Sequence, residues 1–371
     1  MAGSLVALPI LAIDQTHNVA VGGGLVAAFL GPSVVAAPAV GAALDMARRP
    51  AILVAASGLL TALAFLAAAN LNQLPLPAVI TLMAFAGAAS PFYMGGLSSF
   101  VADTIPDGRR AFAYDALSYN VSAVAGPALV ALIAAFLSAQ AALFALAGIC
   151  LAGTSFAGAI KGRAHHHSSE PPWQVVKAGF RRIFAHRPLA IVTASSTLTQ
   201  VGQGGLAIAV VALSVERVGS PREGAGLVTA FAVGSLIGAL WETLRPSRGR
   251  PDRTMTAGFV ATGLLTISAA FDLGMPWVFV TIGLSGVFTA STTTAMLRLR
   301  DRHSTPRLKS QVFTVSAGLR TSASAGGAML AAAATGLGGA LSLSTLGIIW
   351  IVSAAVMFAY PRSPPATDAE A

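Results

Sequence analysis

Blocks of about 20 apolar residues alternate with short polar breaks along nearly the whole chain. A helix of that length is what crosses a hydrocarbon core about 30 Å thick. The first apolar run, about 3–13, is too short to span, and it lacks the basic front and small-residue cleavage site of a signal peptide. It reads as the outer half of a first helix whose beginning is absent. Asp14, Gln15, His17 and Asn18 then make an exterior turn. Spans are expected at about 19–44, 51–69, 77–101, 111–136 and 139–160, then at about 189–214, 223–244, 254–272, 276–297, 311–334 and 338–360. No ten-residue alternation of apolar and polar positions repeats, which favours helices over a transmembrane β-barrel. The expected fold is an all-α integral membrane protein on a twelve-span plan with a truncated first helix.

The longest break in hydrophobicity, 161–187, separates an N-terminal bundle (1–160) from a C-terminal bundle (188–360), and a polar tail (361–371) reads as disordered. Within the break, Trp173, Val176, Phe180, Ile183 and Phe184 recur at helical spacing, with Lys177, Arg181 and Arg182 on the other face. Such an amphipathic helix suits the inner membrane surface.

Composition sharpens the picture. Of the 371 residues 55% are hydrophobic and only 10% charged, with mean hydropathy +0.74, whereas a soluble domain carries about 25% charged residues. A net charge of +9 would suggest nucleic acid in a soluble chain. Here the bases cluster in short loops between spans, as the positive-inside rule expects, so no nucleic-acid partner is inferred. All of the 23 Lys and Arg except Arg217, Arg222 and Arg320 fall on one side of the predicted topology. That asymmetry predicts a multi-pass protein of the cell membrane, the inner membrane of a bacterium, with a cytoplasmic C-terminus. The single Cys150 excludes an intrachain disulfide, and His165-His166-His167 lacks the acids or thiols of a metal site.

The stretch Gly41-Ala42-Ala43-Leu44-Asp45-Met46-Ala47-Arg48-Arg49-Pro50 interrupts the apolar pattern as a tight turn. A shorter copy, Gly238-x-x-x-Glu242-x-x-Arg245-Pro246, stands about 200 residues later. Ser122-Ala123-Val124-Ala125-Gly126-Pro127-Ala128 likewise aligns without a gap on Ser322-Ala323-Ser324-Ala325-Gly326-Gly327-Ala328. Two matches at nearly one offset, each in a span of the same rank, indicate a duplicated half.

With the central amphipathic segment and the twelve-span plan, these motifs resemble the major facilitator superfamily over nearly all of residues 3–360. The run from Arg110 to Pro127 is similar to bacterial drug-exporter-like members. Ala47 replaces the second glycine of the turn motif, and span five lacks the fuller glycine series of many drug/proton antiporters. The resemblance implies two six-helix bundles around a central cavity that opens alternately to each side. It also implies a cytoplasmic gate built from Gly41, Asp45, Arg48 and Arg49 with Glu242 and Arg245. The alternative for these charges is a topology-setting turn with a capping acid.

Arg320 is the sharpest single residue. Near mid-membrane an arginine costs at least ~2.5 kcal/mol unless paired or wet. Gly318, Ser322 and Ser324 make its surroundings polar enough for a cavity wall, although a structural hub for helix ends would look the same. Asp115, about one turn inside span five, is the candidate proton carrier, or else a solvated charge at a helix start. Tyr119 and Asn120 lie deeper on that helix, and Asn120 is the repeat counterpart of Arg320. Thr193, Ser196, Gln200 and Gln203 form a polar stripe on span seven, and Ser285, Thr289 and Thr292 a weaker one on span ten. Each stripe lines a cavity or knits helices together. Tyr93 could stack on a substrate or pack between helices. Gly126, Pro127, Gly326 and Gly327 form the helix-packing motif.

No Walker loop, nucleophile–base set or His/Glu cluster appears, so neither an ATP-driven pump nor an enzyme is expected, and no cofactor. The expected activity is secondary active transport: proton-coupled efflux of a small lipophilic molecule by a monomer working in the lipid bilayer. The alternative is a transport-incompetent membrane scaffold or a truncated gene product.

Overall fold

The computed structural model describes residues 2–16, 19–105, 107–157, 172–219, 221–247, 249–334, 336 and 338–361. The expected His165–His167 cluster and the tail beyond Pro361 lie outside the described residues. The described residues hold no strand and are organised as helices α1 (Ser4–Thr16), α2 (Val19–Met46), α3 (Pro50–Ala69), α4 (Leu76–Ala89), α5 (Gly95–Thr104), α6 (Gly108–Phe136) and α7 (Ala139–Ser155). After the amphipathic α8 (Pro172–Ala185) come α9 (Arg187–Val218), α10 (Pro221–Leu244), α11 (Pro251–Ala269), α12 (Met275–His303), α13 (Lys309–Ala333) and α14 (Gly339–Met357). Among the described residues, eight helical stretches are long and apolar enough to cross a membrane, and α1 and α7 are shorter apolar helices.

The fourth span covers the expected stretch, Leu76–Val101, with a break inside it. Span four is not continuous: α4 ends at Ala89, a 3-10 turn covers Ser90–Phe92, and α5 restarts at Gly95. Pro91 has no N–H to donate, and its ring disfavours the helical backbone of the preceding turn. Span ten also runs further than its apolar residues suggest, ending at His303, because Arg298, Arg300 and Arg302 continue the same helix.

The sequence supplies the helix ends. Asp107 accepts the backbone N–H groups of Arg109 and Arg110 at the start of α6, and Ser138 accepts that of Ala141 at the start of α7. Gly219, at φ 66°, closes α9 in the left-handed conformation that a side chain resists.

The chain divides into two compact units. One comprises Met1–Phe180 with Ser304–Ser322; the other comprises Arg181–His303 with Ala323–Ala371. The first half of α13 therefore belongs with the N-terminal helices. In the first unit, Leu8, Leu11, Leu25, Phe29, Phe65, Met83 and Leu143 form the core, and the Phe29 and Phe65 rings lie 5.5 Å apart. In the second, small residues let backbones touch. Ser195 donates to the Ser353 carbonyl at 2.7 Å between α9 and α14, and Gly286 of α12 lies directly against the carbonyl of Phe231 on α10. Lipid offers apolar surfaces no net gain on leaving it, so helix association in a bilayer depends on such close approach and hydrogen bonding. Large apolar side chains face outward instead, Phe136 being 80% and Phe85 62% exposed.

Candidate functional site

The turn at the end of α2 is bonded to the start of α13. The Asp45 carboxylate accepts the backbone N–H of Ser310 at 2.8 Å and of Gln311 at 2.7 Å. The first N–H groups of a helix have no partner within it and sit at the positive end of its dipole, so a carboxylate there is both acceptor and counter-charge. Neighbouring contacts tighten the junction. Ser99 of α5 meets the Ser310 hydroxyl at 3.0 Å, Phe112 of α6 stacks on Phe313 at 6.3 Å, and a Cβ on Gly41 would fall 2.7 Å from Gln311 Cα. Gly41 is thus required for close approach. Arg48 and Arg49 are exposed beside this junction.

The second copy of the motif is bonded differently. Glu242 is only 2% exposed, and its carboxylate is occupied within its own unit. Ser247 donates to it through the backbone N–H at 2.9 Å and the hydroxyl at 2.8 Å, and Ser291 of α12 donates at 3.0 Å. Arg298 adds a bond to the Ser247 carbonyl at 3.3 Å. Arg245 lies exposed, its guanidinium 5.2 Å from the Trp241 ring centre.

Inside the first unit, the ionisable residues singled out from the sequence draw together on α5, α6 and α13. Tyr119 Oη lies 2.9 Å from the Ser98 hydroxyl, and Asp115, one turn earlier on α6, also interacts with Ser98. Tyr119 is close enough to Arg320 to interact with it electrostatically. Asp115 Oδ2 and Arg320 Nε are both shielded from solvent without a hydrogen-bond partner, and neither residue forms a salt bridge. Asn120, on the same helix, donates to the carbonyl of Ala116.

The other expected site residues are spread through the helices. Tyr93 is 3.2 Å from the Thr61 hydroxyl of α3. Ser196 is buried and accepts a 2.8 Å bond from Arg300, so at least this member of the span-seven stripe joins α9 to α12. Gln200 and Gln203 are half-buried. Thr289 donates to Ser235 at 3.0 Å. Gly126 packs against Gly3 of the N-terminal segment and Gly327 against Val201 of α9, Pro127 lies within α6, and a Cβ on Gly326 would meet nothing within 4 Å.

Sequence reasoning missed Ser98, Ser99, Ser310, Gln311 and Arg300. Ser98 and Ser99 follow Gly95-Gly96 in a stretch that reads as ordinary small-residue packing. Arg300 sits among loop-like arginines, so its burial has no sequence signature.

The Major Facilitator Superfamily profile matches residues 1–250. A curated relative, the uncharacterized MFS-type transporter y4rN of Sinorhizobium fredii, is 25% identical over 331 residues, covering 83% of this chain and 78% of that protein. Among solved structures, the human organic anion transporter MFSD10 (TETRAN) matches with a TM-score of 0.74 at 14% identity, over 95% of this chain and 89% of that one. The E. coli fucose:proton symporter FucP also matches at 0.74, with 15% identity over 97% and 94% of the two chains. A bacterial homologue of the iron transporter ferroportin in its outward-facing state matches at 0.73, with 15% identity over 97% and 94%. The chain is therefore a membrane transporter that belongs to the major facilitator superfamily.

Proposed function

We propose that this transporter is a secondary one that works by alternating access, exporting a small lipophilic molecule in exchange for protons. The single observation that carries this reading is the cluster of Asp115, Ser98, Tyr119 and Arg320. An acid and a base stand within membrane-spanning structure, close to hydroxyls yet not paired with each other. Ionisable groups held at membrane depth are costly, and they mark substrate or proton pathways. Asp115 would take up and release the coupling proton, and Tyr119 and Ser98 would hold its carboxyl in place. Tyr93, Asn120, Gln200, Gln203, Ser196 and Thr289 would contribute to the path of the substrate, and the Asp45 junction would close the cytoplasmic side. In the same reading the halves 1–160 and 188–360 are repeats of one six-helix unit, and the protein acts as a monomer.

The structural neighbours are named for a sugar, an iron ion and organic anions, so the substrate class is argued from side chains and not from them. The test is efflux from everted membrane vesicles over a panel of lipophilic fluorescent compounds, with and without a protonophore. Accumulation that requires the pH gradient and collapses with the protonophore supports proton-coupled export. Accumulation that survives the protonophore would remove proton coupling, and a vesicle that moves none of the panel would point to the scaffold.

A further inference from the structure

We propose, resting on the transport reading above, that the molecule carried has an anionic head, a carboxylate or sulfonate, which seats on the guanidinium of Arg320. Arg320 stands in the middle of α13, half-buried, with Nε shielded from solvent and no acceptor on it. None of the described carboxylates forms a salt bridge with it. One turn earlier on the same helix face, the hydroxyl of Ser316 is fully buried and also has no partner. Tyr119 of α6, whose Oη meets Ser98, interacts electrostatically with the Arg320 guanidinium.

The guanidinium brings donors and no acceptor, and the Ser316 hydroxyl can donate as well. A guanidinium offers five N–H groups in a rigid fork that matches a planar or tetrahedral oxyanion, and it cannot shed its charge. A neutral carbonyl would answer that fork with a weaker, uncharged acceptor, and a cation would add repulsion. After Arg320 no further residue of α13 carries a charge, and the lipophilic remainder of the molecule is taken from the transport reading. The substrate class is then a lipophilic anion.

The test uses the purified full-length protein in detergent and three matched probes: 2-naphthoate, 2-naphthamide and 2-naphthylmethylammonium. Binding is read by calorimetry and by thermal stabilisation. The expected result is binding of the naphthoate alone, weakened about tenfold or more in R320Q, partly retained in R320K, and weakened a few-fold in S316A. R320Q must match the wild-type elution profile and unliganded melting temperature; if it does not, R320K and S316A carry the comparison. Binding of the amide or ammonium as tightly as the naphthoate overturns the proposal. So does unchanged naphthoate affinity in R320Q, or absence of naphthoate binding at millimolar concentration. Failure of the transport reading looks different: the naphthoate would bind through Arg320, yet wild-type vesicles would move no compound.

Discussion

The Asp45 carboxylate holds the backbone N–H of Gln311 at 2.7 Å across 266 residues of sequence. With the companion bond to Ser310, one side chain at the end of α2 supplies the N-terminal cap of α13. An internal N-cap residue of a helix is tied to it by the chain, whereas this one is held only by the bonds it makes. If this junction opens during transport, these bonds break.

Replacing Asp45 with alanine removes a cap whose usual contribution is about 0.5–2 kcal/mol. The closed arrangement should lose population by a factor of roughly two to thirty. Ser99, fully buried beside Ser310, reports on this. In a protein with Cys150 replaced by alanine, a cysteine introduced by Ser99→Cys should react slowly with a maleimide, and several-fold faster once Asp45→Ala is added. Equal rates would mean that Asp45 does not hold the junction shut.

Glu242 has a different task and should fail differently. It accepts three hydrogen bonds while buried, and bonds to a charged group are worth about 1.5–3 kcal/mol each. Glu242→Ala should lower stability by about 3 kcal/mol or more, and Ser291→Ala by about 1 kcal/mol, read as melting temperature in detergent. A melting temperature unchanged by Glu242→Ala would show that this network is not what fixes the end of α10.

Gly179 of α8 lies directly against the fully buried side chain of Gln311. Gly179→Val would displace Gln311 and loosen α8 from the junction, so the protease sensitivity of the segment before α9 should rise. Gly148→Ala on α7 is the control, because a Cβ there meets nothing within 4 Å. Equal protease patterns for the two variants would argue against docking of α8 at this point.

Much of the fold is legible in the sequence because membrane helices advertise themselves by apolar length, and their ends by Asp107, Ser138 and the prolines at 50, 188 and 251. The break in span four is announced only by Pro91, and apolar count overrides that signal. The site is less legible. Arg320, Tyr119 and Asp115 stand out because charge and aromatic hydroxyls are rare in apolar runs. Their neighbours Ser98 and Ser316 do not, since a serine in a helix usually bonds its own backbone and is silent in sequence. The partner of Asp45 is 266 residues away, beyond the reach of any local pattern. Glu242 shows the limit of a repeat argument: the copied spacing survives, yet its carboxylate bonds within the second unit.

The proposed duplication also predicts sidedness. Single cysteines replacing Arg48 and Arg245, both exposed, should be labelled by a membrane-impermeant reagent from the same face of oriented vesicles. Labelling from opposite faces would break the two-copy topology and the sidedness drawn from the basic residues.

The most direct test of proton-coupled transport is made in liposomes containing the purified protein and a trapped pH-sensitive dye. Addition of a transported compound should change internal pH in step with its movement in the wild type. In Asp115→Asn the compound should equilibrate with no pH change. Solute movement without a pH change in the wild type, or identical traces for the two proteins, would contradict the account.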